Sequence, residues 1–138
     1  MMPQIMFDEE RALANIKNYF RAYCGPAFDA GQWFTPKVDF FFHLTNVSPE
    51  QITAQVRQDK LEYIKPEITV TSRANRLTTS DNGEQSCESD AHYACIRQSK
   101  SGLIESYDAT YRFVFYNGKI KSITLVSKRN EKLEDPML

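Results

Sequence analysis

Three turn signals punctuate the C-terminal half of the chain: Asp81-Asn82-Gly83-Glu84, Ser99-Lys100-Ser101-Gly102 and Tyr116-Asn117-Gly118-Lys119. Two of them carry an Asn-Gly pair, which supplies the positive φ of a tight type I′ hairpin. The segments between them run to about 13 residues, roughly double an ordinary strand of about 5 to 6. Such spacing dictates an antiparallel meander, with strands expected at 67–80, 84–98, 103–116 and 119–129. Strands of that length twist and curl, and the curl leaves a concave face that a helix can cover.

The upstream sequence supplies the helices. Leu13, Ile16, Phe20 and Tyr23 recur at steps of three and four, with Ala12 and Tyr19 widening the stripe. Asp8, Glu9 and Glu10 fall where a helix dipole favours negative charge, so 8–24 reads as a helix that Gly25-Pro26 ends. A short helical segment is expected at 27–33 and a compact apolar strand at 38–44. Ser48-Pro49-Glu50-Gln51 then combines a capping serine, a proline at the first helical position and a glutamine three residues after the cap. Ile52, Val56, Leu61 and Ile64 continue that helix's buried stripe. The last residues, 131–138, read as a frayed tail.

Charge and composition exclude more than they identify. With 17 basic and 18 acidic residues the net charge is −1, which lacks the footprint of a protein that grips nucleic-acid phosphates. No nucleic-acid partner is expected. No run approaches the 18 or so apolar residues of a membrane span, and the first ten residues lack the basic and apolar regions of a signal peptide, so a cytoplasmic protein with no membrane partner is expected. Three cysteines at these spacings suit neither a disulfide framework nor a zinc knuckle; they read as buried, inert thiols. At 138 residues the chain is expected to be one domain able to bury about two thirds of its unfolded surface.

Helix, short helix, short strand, capped helix and four long antiparallel strands is an order that resembles the nuclear-transport-factor-2-like superfamily. The residues that carry the resemblance are Tyr19-Phe20-Arg21-Ala22-Tyr23, Trp33-Phe34 ahead of Val38-Asp39-Phe40, and above all the run from Ala109 through Tyr111, Phe113 and Phe115 to Asn117-Gly118-Lys119-Ile120. It covers about 7–129. It implies an α+β, cone-shaped, cystatin-like fold in which a strongly bent, mostly antiparallel sheet wraps around the N-terminal helices. The superfamily includes dehydratases, isomerases, polyketide cyclases and transport factors, and its ketosteroid isomerase-like members place a carboxylate base beside the first strand. Asp39 stands there in this chain.

With two-residue loops and no bulges, Ile68, Val70, Ser72 and Ala74 share the helix-facing side with Ala91, Tyr93, Cys95, Asp108, Thr110, Arg112, Val114, Ile123 and Leu125. The opposite side gathers Arg73, Asn75, Glu88, Asp90 and His92 beside Tyr107, Tyr111, Phe113 and Phe115. A row of outward aromatics predicts a homodimer through that face. Candidate catalytic residues are Asp39 and His43 on one side of the short strand, and Asp108, expected opposite Tyr93. Tyr19, Tyr93 and Arg112 are the candidate ligand contacts. Glu88, Asp90 and His92 alternate on one strand without the further ligands a metal needs, and no cofactor is implied. Two functions fit: a small-molecule-binding protein or cofactor-independent acid/base enzyme of the dehydratase, isomerase or cyclase kind, or a non-catalytic dimeric interaction module. An enclosed cavity of about 300 Å³ or more, lined by at least two titratable groups, favours the first; a cone plugged by Tyr19, Phe20, Tyr93 and the run from Phe40 to Phe42 favours the second.

Overall fold

Helix α1 (Glu9–Cys24) begins where Asp8 accepts a hydrogen bond from the Arg11 amide at 2.7 Å, which satisfies one of the donors a helix start leaves open. It buries Ala12, Ile16, Tyr19 and Phe20. A 3₁₀ turn at Ala30–Gln32 replaces the longer helical segment expected there. The apolar run after it is folded back as a hairpin, β1 (Val38–Phe41) and β2 (Leu44–Val47), rather than drawn out as one strand. Helix α2 (Pro49–Glu62) opens with the full reciprocal capping box between Ser48 and Gln51. Its inner stripe is Ile52 and Val56, whereas Leu61 is 67% exposed. Strands β3 (Tyr63–Val70), β4 (Thr78–Thr79), β5 (Gln85–Arg97), β6 (Leu103–Tyr116) and β7 (Lys119–Glu134) complete the chain. The computed structural model describes residues 4–73 and 76–136; Ala74 and Asn75, expected on opposite faces, lie outside the described residues.

One seven-stranded mixed sheet runs in the order β2-β1-β7-β6-β5-β3, with β4 paired to β5. All its pairs are antiparallel except β1 with β7. The expected strand over 67–80 is interrupted: β3 ends at Val70, and β4 pairs Thr78 and Thr79 with β5. The expected tail is a strand as far as Glu134, which lies opposite Ile104. The core between helices and sheet is rich in aromatic rings: Tyr19 packs edge-on against Phe28, Trp33, Phe34 and Phe113 at centroid distances of 5.6–6.1 Å.

The face assignment of β6 is reversed from that expected, for a local reason. A two-residue loop after β5 would oppose Tyr93 to Asp108. Instead Arg97 pairs with Leu103, and the intervening five residues form a 3₁₀ turn and an αL pair at Ser101 and Gly102. The register moves by one, so Tyr93 opposes Tyr107 and His92 opposes Asp108; because side chains alternate, the whole of β6 changes sides. Tyr111, Phe113 and Phe115 are therefore buried core residues. That removes the outward aromatic row on which a homodimer was expected. A bulge in β7, between the Val114 and Phe115 pairings, shifts the register once more, and Ile123 and Leu125 return to the inner face.

Candidate functional site

The cone is hollow. A cavity of 360 Å³ lies between α1, α2, the β1–β2 hairpin and the concave sheet. Its floor is made by Tyr19, Phe20, Phe41, Tyr93 and Tyr111, all buried; its rim, by the exposed His43, Tyr63, Leu125 and Lys128. Tyr93 and Tyr107, brought opposite by the register, stack at 4.8 Å on one wall. Phe42 closes another, edge-on to Phe41 at 5.0 Å and to Tyr111 at 6.1 Å. Phe42 is the first residue of the β1–β2 turn and has φ of +57°. A bulky residue in that region costs of order 1–3 kcal/mol, and ring packing at the cavity holds it there.

The polar groups in the cavity come from three places. On α2, Gln55 and Asp59 sit one turn apart and face inward, the Gln55 amide donating to Asp59 Oδ1 at 2.8 Å. At the far end of β5, Arg97 bridges Glu62 at 3.0 Å and Glu105 at 2.9 Å, and its guanidinium lies 4.6 Å from the Tyr63 ring centroid. Glu62 also receives the Ser99 amide and hydroxyl, which fixes the β5–β6 loop against the end of α2; those bonds hold its carboxyl below the usual range. On β7, Lys128 pairs with Glu131 at 3.3 Å and rests 4.3 Å above the Tyr107 ring.

Burial pushes the phenols of Tyr19, Tyr23, Tyr93 and Tyr107 well above their ordinary range. Tyr111 rises to about 12, burial outweighing the hydrogen bond from Tyr107 that favours its ionised form. At neutral pH these five hydroxyls are therefore protonated, with Tyr107 donating to Tyr111 and Tyr93 to Cys95.

Of the six residues singled out in the sequence, Tyr19, His43 and Tyr93 line the cavity and Asp39, Asp108 and Arg112 do not. Asp39 is separated from His43 by the turn at Phe42 and lies 3.6 Å from Lys121, which also pairs with Glu84. Asp108 is on the outer face, where Asn130 and His92 each bond it at 2.9 Å and hold its carboxyl below the usual range. Arg112 lines a separate outer depression with Arg76, Ser86 and Glu88. Asp90 belongs to the outer network too, accepting from Thr110 at 2.5 Å. Among the described residues no three His, Cys, Asp or Glu side chains are placed to share a metal ion. Cys87 and Cys95 are buried and Cys24 partly so, and all three are free thiols.

Sequence reasoning missed Asp59, Gln55, Arg97, Glu105, Tyr107 and Lys128. A signal existed for the first two. Positions 52, 55, 56 and 59 recur at helical spacing, so polar residues occupy half of an inward stripe.

No family model matches the sequence, and no curated protein matches it. Solved structures do match in shape. A nuclear-transport-factor-2-like superfamily protein from Salmonella enterica superposes with a TM-score of 0.68 at 14% identity, over 87% of this chain and 89% of that one. The chain has the nuclear-transport-factor-2-like fold. The β subunit of benzoate 1,2-dioxygenase from Burkholderia mallei matches with a TM-score of 0.67 at 14% identity, covering 91% and 93% of the two chains. A SnoaL-like protein of Jannaschia, assigned provisionally as a polyketide cyclase, matches at 0.66 with 12% identity and 90% coverage of each. At these identities the likeness is one of fold. Among the described residues no helix is long and apolar enough to cross a membrane.

Proposed function

We propose that the cone binds a small organic molecule and is equipped for cofactor-independent acid/base chemistry on it. The observation that carries this reading is the space inside the cone: 360 Å³, within the range of small-molecule pockets, lined by aromatic rings and by the titratable His43, Asp59, Glu105 and Lys128. Apolar rings enclose the ligand, and the protonated phenol of Tyr19 donates to its oxygen or developing charge. His43 and Asp59 are the groups suited to exchanging a proton, because among the described residues neither is engaged in an ion pair, whereas Glu105 and Arg97 hold each other. Among the fold neighbours, the provisional polyketide cyclase and the dioxygenase subunit agree with a role in small-molecule chemistry.

The interaction-module reading loses its main support with Tyr111, Phe113 and Phe115 turned inward. A metabolite screen by thermal shift, repeated on Ile68→Trp to fill the cavity, tests the proposal. Compounds that stabilise the unmodified protein are expected to lose their effect on the filled variant, with its own melt still cooperative. Equal stabilisation of both proteins, or no stabilising compound, would argue against the cavity as the site.

A further inference from the structure

The charges around the cavity say what kind of molecule it suits. Both cations that line it are already met by carboxylates: Arg97 by Glu62 and Glu105, and Lys128 by Glu131. Asp59 has no such partner. Its recorded hydrogen bond comes from the neutral Gln55 amide, and among the described residues no Lys, Arg or His lies within ion-pair distance of it. Asp59 is thus a carboxylate that faces an aromatic enclosure with no cation of the protein beside it among the described residues.

The rings point the same way. The face of a tyrosine ring attracts cations through its quadrupole, and two rings of this cavity already hold lysine ammonium groups of the protein itself. Lys128 Nζ lies 4.3 Å from the Tyr107 centroid and Lys60 Nζ 5.5 Å from that of Tyr23. Among the described residues the two cations that line the cavity are both engaged, so an anionic ligand would meet no free one.

From this geometry we infer that the ligand is an organic cation, an amine protonated at neutral pH on an aromatic or apolar body, with its ammonium group at Asp59 and its body between the tyrosine and phenylalanine rings. The inference rests on the cavity being a small-molecule site. It leaves His43 as the group free to exchange a proton, since Asp59 is then occupied in holding charge.

Three probes of one shape and different charge test it: phenethylammonium, phenethyl alcohol and phenylacetate, titrated against the full chain by NMR. The ammonium is expected to bind about tenfold or more tighter than the alcohol, and phenylacetate weakest. Asp59→Asn should remove the ammonium's advantage over the alcohol, with a dispersed amide spectrum and an unchanged melt showing that the variant is folded. Equal affinities, tighter phenylacetate, or a preference for the ammonium that survives in Asp59→Asn overturns the cationic class and leaves the cavity reading standing. If none of the three perturbs cavity residues at concentrations up to about 10 mM, both readings fall together.

Discussion

At the scale of single residues, the chemistry of the cavity follows from burial. A phenol among rings cannot hydrate its phenolate, so its proton is kept, and that preference is written into the pH dependence of folding. Tyr111 moves from the ordinary 10 to about 12, and Cys87 from 9 to about 11, burial being the first cause in both. The sign follows: a folded-state value raised above the unfolded one gives stability that is complete below the unfolded value and lost as pH rises through the folded one. Stability should hold up to about pH 9 and fall across about pH 9–12, with Tyr19, Tyr23, Tyr93, Tyr107 and Tyr111 ionising only as the protein unfolds. Ring signals of any of these five tyrosines titrating near pH 10 in a chain whose circular dichroism is unchanged would contradict this. Asn15 is a cost of another sort. Its Oδ1 is buried and without a hydrogen-bond partner among the described residues, so Asn15→Leu should be neutral or stabilising by about 1 kcal/mol in urea titration.

Among the elements, helices were readable because their determinants are local. The capping serine, the proline at N1 and the reciprocal glutamine of α2 lie within four consecutive residues, and the structure forms them all. Turns divided according to how many residues they hold. Asn117-Gly118 is the two-residue turn its sequence requires, with φ of +50° and +75°. Asn82-Gly83 sits in a longer loop between the Thr79–Gln85 pair, and the Ser-Gly turn after β5 holds five residues. Nothing in the composition of those loops distinguishes two residues from five, and the difference reversed a strand of 14 residues. An N-terminal arm fastens two of these turns: the Ile5 amide donates to Asn117 Oδ1 at 2.7 Å, and Phe7 exchanges hydrogen bonds of 2.9 and 2.8 Å with Gln85. Gly118 has no room for a side chain, since a β-carbon there would meet Ile5 at 2.9 Å. Asn117→Gly keeps the positive φ and deletes only the tether; about 1 kcal/mol of stability should be lost. Amide exchange would show it first at Ile5, and slow exchange persisting there in the variant would count against the arm's anchoring.

For the molecule as a whole, the aromatic core and the cavity are one construction: the rings that fill the cone's interior end where its open space begins. Phe113→Ala removes a fully buried ring and should cost about 3–5 kcal/mol, read as a shift in denaturant midpoint at unchanged slope. A change below about 1 kcal/mol would mean that the ring lies outside the packed core. The sequence alone determined the α+β class, the two main helices and the cap of the second, the positions of β5 and β6, and the inner face of β3 and β5, because amphipathic period and cap chemistry are carried by neighbours in the chain. Tertiary structure decided which side of β6 is inward, how far β7 extends, and that Asp59 rather than Asp39 or Asp108 faces the cavity. Those outcomes depend on loop length and on bulges, which are set by pairing between strands far apart in sequence. A one-residue change of register there moves every side chain of a strand through the sheet.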